Sequence, residues 1–355
     1  MIISRCTTRR ILLSVPLGAA ILCILSLISR SQSPVVLKET RRNMGPGSRI
    51  DMPVLSVTKC EGHKCNEIIK DETPPCTIPP PRLLGRLTLS FPSNLALHMV
   101  SEQNPAVRAG GSQPRSCTAV QKVAVLVPCR DREKHLTHLL ANLHPILQRQ
   151  QLHYTIYVIH QAGDFMFNRA KLLNAGFLEA MKDAAWDCII LHDVDLIPED
   201  DRNLYLCGQQ PRHLVVGRNS TGYILRYKGY FGGVTALSAQ QFRAVNGFSN
   251  IFWGWGGEDD ELRQRVEYLG MWVERPPAEV ARYTMILHGR DEHGNRINSE
   301  RIWLWGRERG ERGAGCAVVG LHFRCSLPGS VHHMDRNVCG HPQWTAVRLR
   351  PSTTR

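Results

Sequence analysis

Two acidic stretches carry the residue types that could do chemistry. The stretch HDVDLIPEDD, His192 to Asp201, follows the apolar run CIIL without a gap and carries the aspartates Asp193 and Asp195. They are two apart in an extended segment, so they point to the same side of the strand end. Both carboxylates could then hold one hard divalent cation, which in turn neutralises a diphosphate. The plain alternative is a solvated turn at a strand end. In FWGWGGEDDEL, Phe252 to Leu262, Glu258, Asp259 and Asp260 come directly after a glycine and tryptophan run. One of these carboxylates could act as a general base. The same three could simply begin a helix, since acidic residues in a first turn stabilise it by a few tenths to roughly 1 kcal/mol.

Two further segments offer groups that bind anions. PCRDR, Pro128 to Arg132, brings two guanidiniums able to meet phosphate oxygens or the carbonyls of a base, and FNRAK, Phe167 to Lys171, adds another arginine beside an asparagine and an aromatic ring. Each could be ordinary surface charge if taken singly.

These segments share a setting. Strand-like runs at Val123 to Val127, Tyr154 to Ile159 and Cys188 to Leu191 are each followed by polar residues. Helical stretches lie between them, at Arg132 to Gln148, with leucines 136, 139, 140 and 143 on one face, and at Asn168 to Lys182. Alternation of this kind predicts an α/β sheet whose ligands gather at the strand carboxyl ends. Further on, Tyr230 to Ser238 reads as a strand, Ala239 to Phe248 as a short helix, and a helix from Glu258 runs to about Leu269 before Gly270.

The 355 residues, 43% of them hydrophobic, are enough for one large domain with appendages. A formal net charge of +13 suits a nucleic-acid binder only if it is clustered, and here Arg and Lys are spread along the chain with no base-reading module, so no nucleic-acid partner is expected. Ile11 to Ile28 carries no charge, is long enough for a thin bilayer, and follows Arg5, Arg9 and Arg10. It reads as a single transmembrane signal anchor at 11–28 behind a cytoplasmic tail at 1–10; a cleaved signal peptide is the competing reading. Residues 29–75, rich in Ser, Pro and Gly, read as a stem. With the remainder in an oxidising lumen, cysteines pair by default: Cys188 and Cys207 could staple the segment between them, and Cys76 and Cys117 could tie the start of the globular part to its first strand. Cys60, His63 and Cys65 resemble a fragment of a zinc site without a four-ligand set. Asn219-Ser220-Thr221 is an N-glycosylation sequon.

The blocks FNRAKLLNAGFLEA, HDVDLIPEDD, YFGGVTALS, WGWGGEDDEL and MILHGRD resemble those of the beta-1,4-galactosyltransferase family, nearly collinearly from Cys76 to Arg301, and HLVVGRNSTGYILRYKGYFGG resembles its type-4-like members. The resemblance implies a GT-A-type nucleotide-sugar glycosyltransferase fold with a mixed central sheet, a type II Golgi membrane topology, Mn2+, UDP-galactose as donor and N-acetylglucosamine-terminated glycans as acceptors; a homodimer paired through the anchor is compatible with it. By position it assigns Pro128, Arg130, Arg132, Phe167, Asn168 and Arg169 to the UDP portion, with Asp193 and Val194 near the nucleotide sugar, and Cys129 where the family has an aromatic or histidine that could affect base stacking. It makes Asp195, Met285 and His288 the metal ligands, His288 also touching the donor, although a thioether is a soft partner for a hard ion. Tyr230 shapes the space around the donor sugar's C2 substituent, where a phenol favours galactose over its N-acetyl relative. Asp259 is the base, Glu258 and Asp260 position the acceptor, Gly257 and Arg301 contact it, and Trp255, between two glycines, is a lid over the donor. Trp253 reads as a structural core residue.

After about residue 301 the resemblance ends. The tail at 302–355 is rich in Arg, Gly and Cys and shows no sustained strand alternation, so it is expected to be poorly ordered; Cys316, Cys325, Cys339, His332, His333 and His341 are too irregularly spaced for a metal cluster. Losing a closing strand there would leave a sheet edge open. The competing function is therefore a catalytically inactive or unstable product that retains at most nucleotide-sugar or glycan binding.

Overall fold

The computed structural model describes residues 73–162, 165–289 and 294–306, and the backbone of four strands outside those ranges. Its contacts divide the chain into Met1–Glu72 and Thr73–Arg355. Within the first unit, β1 (Thr58–Glu61) and β2 (Lys64–Glu67) form an antiparallel hairpin whose register sets Cys60 opposite Cys65. The expected anchor at 11–28 lies outside the described residues, and no described helix is long and apolar enough to cross a membrane.

The second unit is built on a mixed eight-stranded sheet. Its parallel centre is β4 (Lys122–Cys129) between β5 (His153–Gln161) and β6 (Cys188–His192). Antiparallel β10 (Val234–Ser238) extends it beyond β6, followed by β8 (Arg212–His213). β4 is an unbroken apolar run because both of its faces are covered. Val123, Val125 and Val127 pack with Leu136, Leu139 and Leu143 of helix α2 (Glu133–Arg149), whereas Ala124 and Leu126 pack with Leu172, Leu173 and Phe177 of α3 (Arg169–Asp183). Gly176 lets α3 approach β5 closely, since a Cβ there would lie 2.7 Å from Ile159 Cδ1. A short α1 (Leu97–Gln103) precedes this core. Disulfides join Cys76 to Cys117 and Cys188 to Cys207, the two pairings that the sequence had left open.

Several boundaries depart from expectation. The segment from Tyr230 to Gly233 is an irregular loop that bends at Gly233 and not part of β10, because Gly233 takes φ +81° and ends the extended backbone. The helix after it, α4 (Ala239–Ala244), stops short of Phe248 and is closed at its start by a capping box of Ser238 and Gln241. Asp193 to Asp195 form a turn between β6 and β7 (Leu196–Pro198), with Leu196 N–H donating to Asp193 O. The two aspartates therefore do not share a strand face. A small second sheet, which the sequence pattern did not suggest, sets β11 (Arg282–Met285) between β7 and β9 (Gly217–Arg218). Helix α5 (Glu258–Tyr268) begins at the acidic triplet, as read.

In the tail, β12 (His332–His333) pairs with β13 (Trp344–Arg348), and β13 runs antiparallel along β5 from Tyr157 to Gln161. With β3 (Gly111–Ser112) on Tyr154 and Thr155, it covers the outer edge of β5 despite the absence of alternation in the sequence. The tail cysteines and His341 lie outside the described residues.

Candidate functional site

A cavity of about 430 Å³ opens where β4 and β6 end and α3 and α5 begin. Every sequence-predicted binding, catalytic and metal residue lines it except Asn168. Asn168 is fully buried and serves the backbone instead: its side chain accepts from Lys171 N–H at the start of α3 and donates to Asn250 O. It positions Arg169 without reaching the cavity.

One end of the cavity holds Asp195 and His288. The imidazole Nδ1 lies 2.8 Å from the Gly289 carbonyl, and this shorter contact, rather than the 3.3 Å one with Arg132, places the hydrogen there. Nε2 then faces Asp195 Oδ2 at 3.3 Å. A lone pair and a carboxylate face to face need something positive between them, a proton or a metal cation. The hydrogen bond to Asp195 accordingly raises the His288 pKa. Imidazole nitrogen and carboxylate oxygen suit manganese. Met285 lines the same wall, its sulfur accepting weakly from the Ser220 hydroxyl at 3.4 Å. Among the described residues no three His, Cys, Asp or Glu side chains cluster around one point. A cation here would take the rest of its coordination from ligand oxygens.

Asp193 does not belong to that pair. Its carboxylate accepts from Arg169 Nε at 2.6 Å, and the same guanidinium stands 3.7 Å from Glu258. Burial works against the Arg169 charge, but Asp193, Glu258 and Asp259 outweigh it and raise its pKa. The expectation that both aspartates share one cation is thus corrected: the turn aims Asp195 at His288 and Asp193 at Arg169. Beneath the turn, buried His192 bridges the Asp193 carbonyl and Tyr205 Oη, which contacts Tyr283 Oη. This polar chain fixes the turn from the core side.

At the opposite wall, α5 starts on two glycines with φ near +100°, Gly256 and Gly257, a backbone region open chiefly to glycine. Burial first and the Asp259 charge second push Glu258 up to about 8. Burial and Asp260 push Asp259 up to about 6. Glu258 Oε2 is buried without a protein partner, which suits a polar ligand group. Asp259 Oδ1 accepts from Asp260 N–H, and Asp260 accepts from Tyr227 Oη at 2.7 Å. Trp255 is 44% exposed over the cavity, with the Arg226 guanidinium 5.6 Å from its ring centroid. Trp253 packs on the core beside α3, as expected of a structural tryptophan.

Sequence reading missed Arg218, Arg226, Tyr227, Gly233, Gly256 and Asn295, which also line the cavity. Arg218 sits in the two-residue β9 and the others in irregular segments, none with a periodic signal, although the pattern YKGY ahead of the glycine pair marks Tyr227 in hindsight.

Residues 76–208 match the N-terminal region of glycosyl transferase group 7, and residues 212–289 match the N-terminal domain of galactosyltransferase. Human beta-1,4-galactosyltransferase 4 (Homo sapiens) is 60% identical over 235 residues, 66% of this chain and 68% of the relative. The chain belongs to the beta-1,4-galactosyltransferase family. The hamster type 4 protein (Cricetulus griseus) is 61% identical over 229 residues, 64% of this chain and 66% of the relative, so the match spans about two thirds of these relatives' length. Among solved structures, the catalytic domain of Drosophila beta1,4galactosyltransferase 7 in complex with xylobiose superposes with a TM-score of 0.50 at 30% identity, covering 61% of this chain and 89% of that one.

Two further sequence expectations, the Cys129 position from the beta-1,4-galactosyltransferase resemblance and the Asn219 sequon from its own motif, meet a definite geometry. Cys129 is the last residue of β4 and is buried, its thiol pushed up to about 12 by burial. It packs in the core and does not line the cavity; alternation along the strand turns it away while Pro128 faces the cavity. Asn219 is exposed in a 3-10 turn, and its side-chain oxygen accepts from Met285 N–H at 2.8 Å.

Proposed function

We propose that this chain is an inverting galactosyltransferase of the GT-A type, moving galactose from UDP-galactose to the 4-hydroxyl of a terminal N-acetylglucosamine with manganese as cofactor. The observation that carries the reading is the placement of Asp259, a carboxylate with a raised pKa, in the same cavity as the Asp195–His288 pair and the Arg169 guanidinium. The alternative of an inactive product is not favoured, since the matched domains and relatives are galactosyltransferases.

In this reading, Arg130 and Arg132 at the end of β4 bind the uridine diphosphate, and Phe167, under the Arg130 guanidinium at 5.3 Å, supports it. Asp195 and His288 would hold manganese, with Met285 beside them; the bound ion supplies charge neutralisation to the departing diphosphate. Asp193, held by Arg169, and Glu258 face the sugar. Asp259 takes the proton from the acceptor hydroxyl as its oxygen bonds to the anomeric carbon and the bond from that carbon to the diphosphate breaks on the opposite face. Trp255 covers the donor and offers a ring face to the acceptor, Asp260, Gly257 and Arg301 position it, and the Tyr230 phenol limits the space at C2.

For the cell, the reading places residues 11–28 as a signal anchor in the Golgi membrane with the catalytic unit in the lumen; a homodimer through that anchor and a glycan on Asn219 are compatible additions. Transfer from UDP-galactose to N-acetylglucosamine in manganese, with the product's anomer and linkage assigned by NMR, tests the function. A β-1,4 product is expected; a retained α linkage would reject the inverting mechanism, and hydrolysis alone would reject transfer to the acceptor.

A further inference from the structure

A second polar chain lies behind the sugar wall of the cavity, made of residues with no part in the chemistry above. His213, in β8, is completely buried. Arg275 Nε points at its Nδ1 at 3.2 Å, and because a guanidinium only donates, Nδ1 is the acceptor and the hydrogen sits on Nε2. Nε2–H donates to the Gly232 carbonyl at 2.9 Å. Arg275 also donates to the Tyr230 carbonyl at 2.8 Å and to Lys228 O at 3.2 Å. Burial pushes His213 down to about 3, so the ring is neutral and this tautomer persists at any working pH.

What the chain grips is the bent loop from Tyr230 to Gly233. The Tyr230 ring meets the His213 ring edge-on, with centroids 5.1 Å apart and planes at 89°. On the cavity side, Gly232 has no room for a side chain: a Cβ there would run into Asp259 Oδ2 and would lie 2.8 Å from the Tyr230 ring. The phenol and the carboxylate therefore both rest on the backbone of one residue, and the carbonyl of that residue is held by His213.

We propose that His213 and Arg275 are positioning residues: by fixing the Tyr230–Gly233 loop they set the discrimination at the donor sugar's C2 position and the seat of Asp259. This rests on the galactose-transfer reading for the identity of the sugar. Without the pair, the Gly232 and Tyr230 carbonyls lose their donors and the loop can shift, so the phenol no longer presents a fixed wall. UDP affinity should be spared, because the arginines after β4 and the Asp195–His288 pair lie on other segments.

The test uses the full chain with Arg275→Met, Arg275→Lys and His213→Gln. Arg275 is partly exposed, so its variants keep the test readable if the buried histidine variant fails to fold. For each, Kd is measured for UDP, UDP-galactose and UDP-N-acetylgalactosamine, together with kcat/KM for both sugar donors and Tm. The expected result is a UDP Kd within about twofold of wild type, with the preference for galactose falling by about tenfold in Arg275→Met and less in Arg275→Lys, which keeps one donor. An unchanged preference, or losses in all three affinities that merely track Tm, would overturn the proposal. A wild type that binds both sugar donors and transfers neither would sink the transfer reading, while the Kd preference would still decide this one.

Discussion

The Asp195 carboxylate and the His288 imidazole, 93 residues apart in the chain, face each other across 3.3 Å at the rim of the cavity. The turn after β6 supplies one and the segment after β11 the other, and pairing of β11 with β7 brings the two segments together. Replacing either group should raise the manganese concentration needed for half-maximal transfer by about tenfold or more. Activation curves for Asp195→Asn and His288→Ala check this, and curves superimposable on wild type would remove the pair from the metal.

The pH dependence follows from Asp259. Its ionised form is the base, and its pKa in the folded protein is raised to about 6. Transfer should fall as pH drops through about 6, not near 4 as for an ordinary aspartate. A kcat/KM profile in which the acid limb stays near 4 would contradict the assignment.

Stability should move the other way. Glu258 and Asp259 both have folded-state values above their ordinary ones, about 8 and about 6, so the folded chain holds protons that the unfolded chain releases. Their contribution is present below the usual carboxylate range and is lost as pH rises through the folded values. Glu258→Gln should therefore stabilise the protein at pH 8 relative to pH 5, on the order of 1 kcal/mol. Thermal melts at both pH values would show it, and an equal effect at both would refute it.

Trp255 projects from a glycine-flanked loop tied by hydrogen bonds to Arg296 and Asn298 and is 44% exposed. Its ring makes little core, so Trp255→Ala should leave Tm within a few degrees while transfer drops by about tenfold or more. A matched loss of stability and activity would make it a packing residue.

Much of this architecture was legible in the sequence because its physics is local and periodic. Unbroken apolar runs at Val123 and Cys188 announced strands buried on both faces, and the leucines of α2 repeat at helical spacing. The site was legible because its groups cluster at the ends of those same elements. What escaped depends on turns and long-range contacts. Asp193 and Asp195 diverge because the backbone turns between them, and the Asn168 side chain caps α3 instead of lining the cavity. Arg226 and Tyr227 reach the cavity from an irregular segment. His213 and Arg275 have no motif; their relationship exists only once β8 lies beside β10.

The most direct test of the central claim compares wild type with Asp259→Asn in manganese, measuring UDP affinity and galactose transfer to N-acetylglucosamine together. With the metal pair and the base as separate parts of one site, the variant should bind UDP as wild type does while transfer falls by about a thousandfold. Substantial transfer by Asp259→Asn, or a folded wild type that binds UDP with manganese and transfers nothing, would contradict the account.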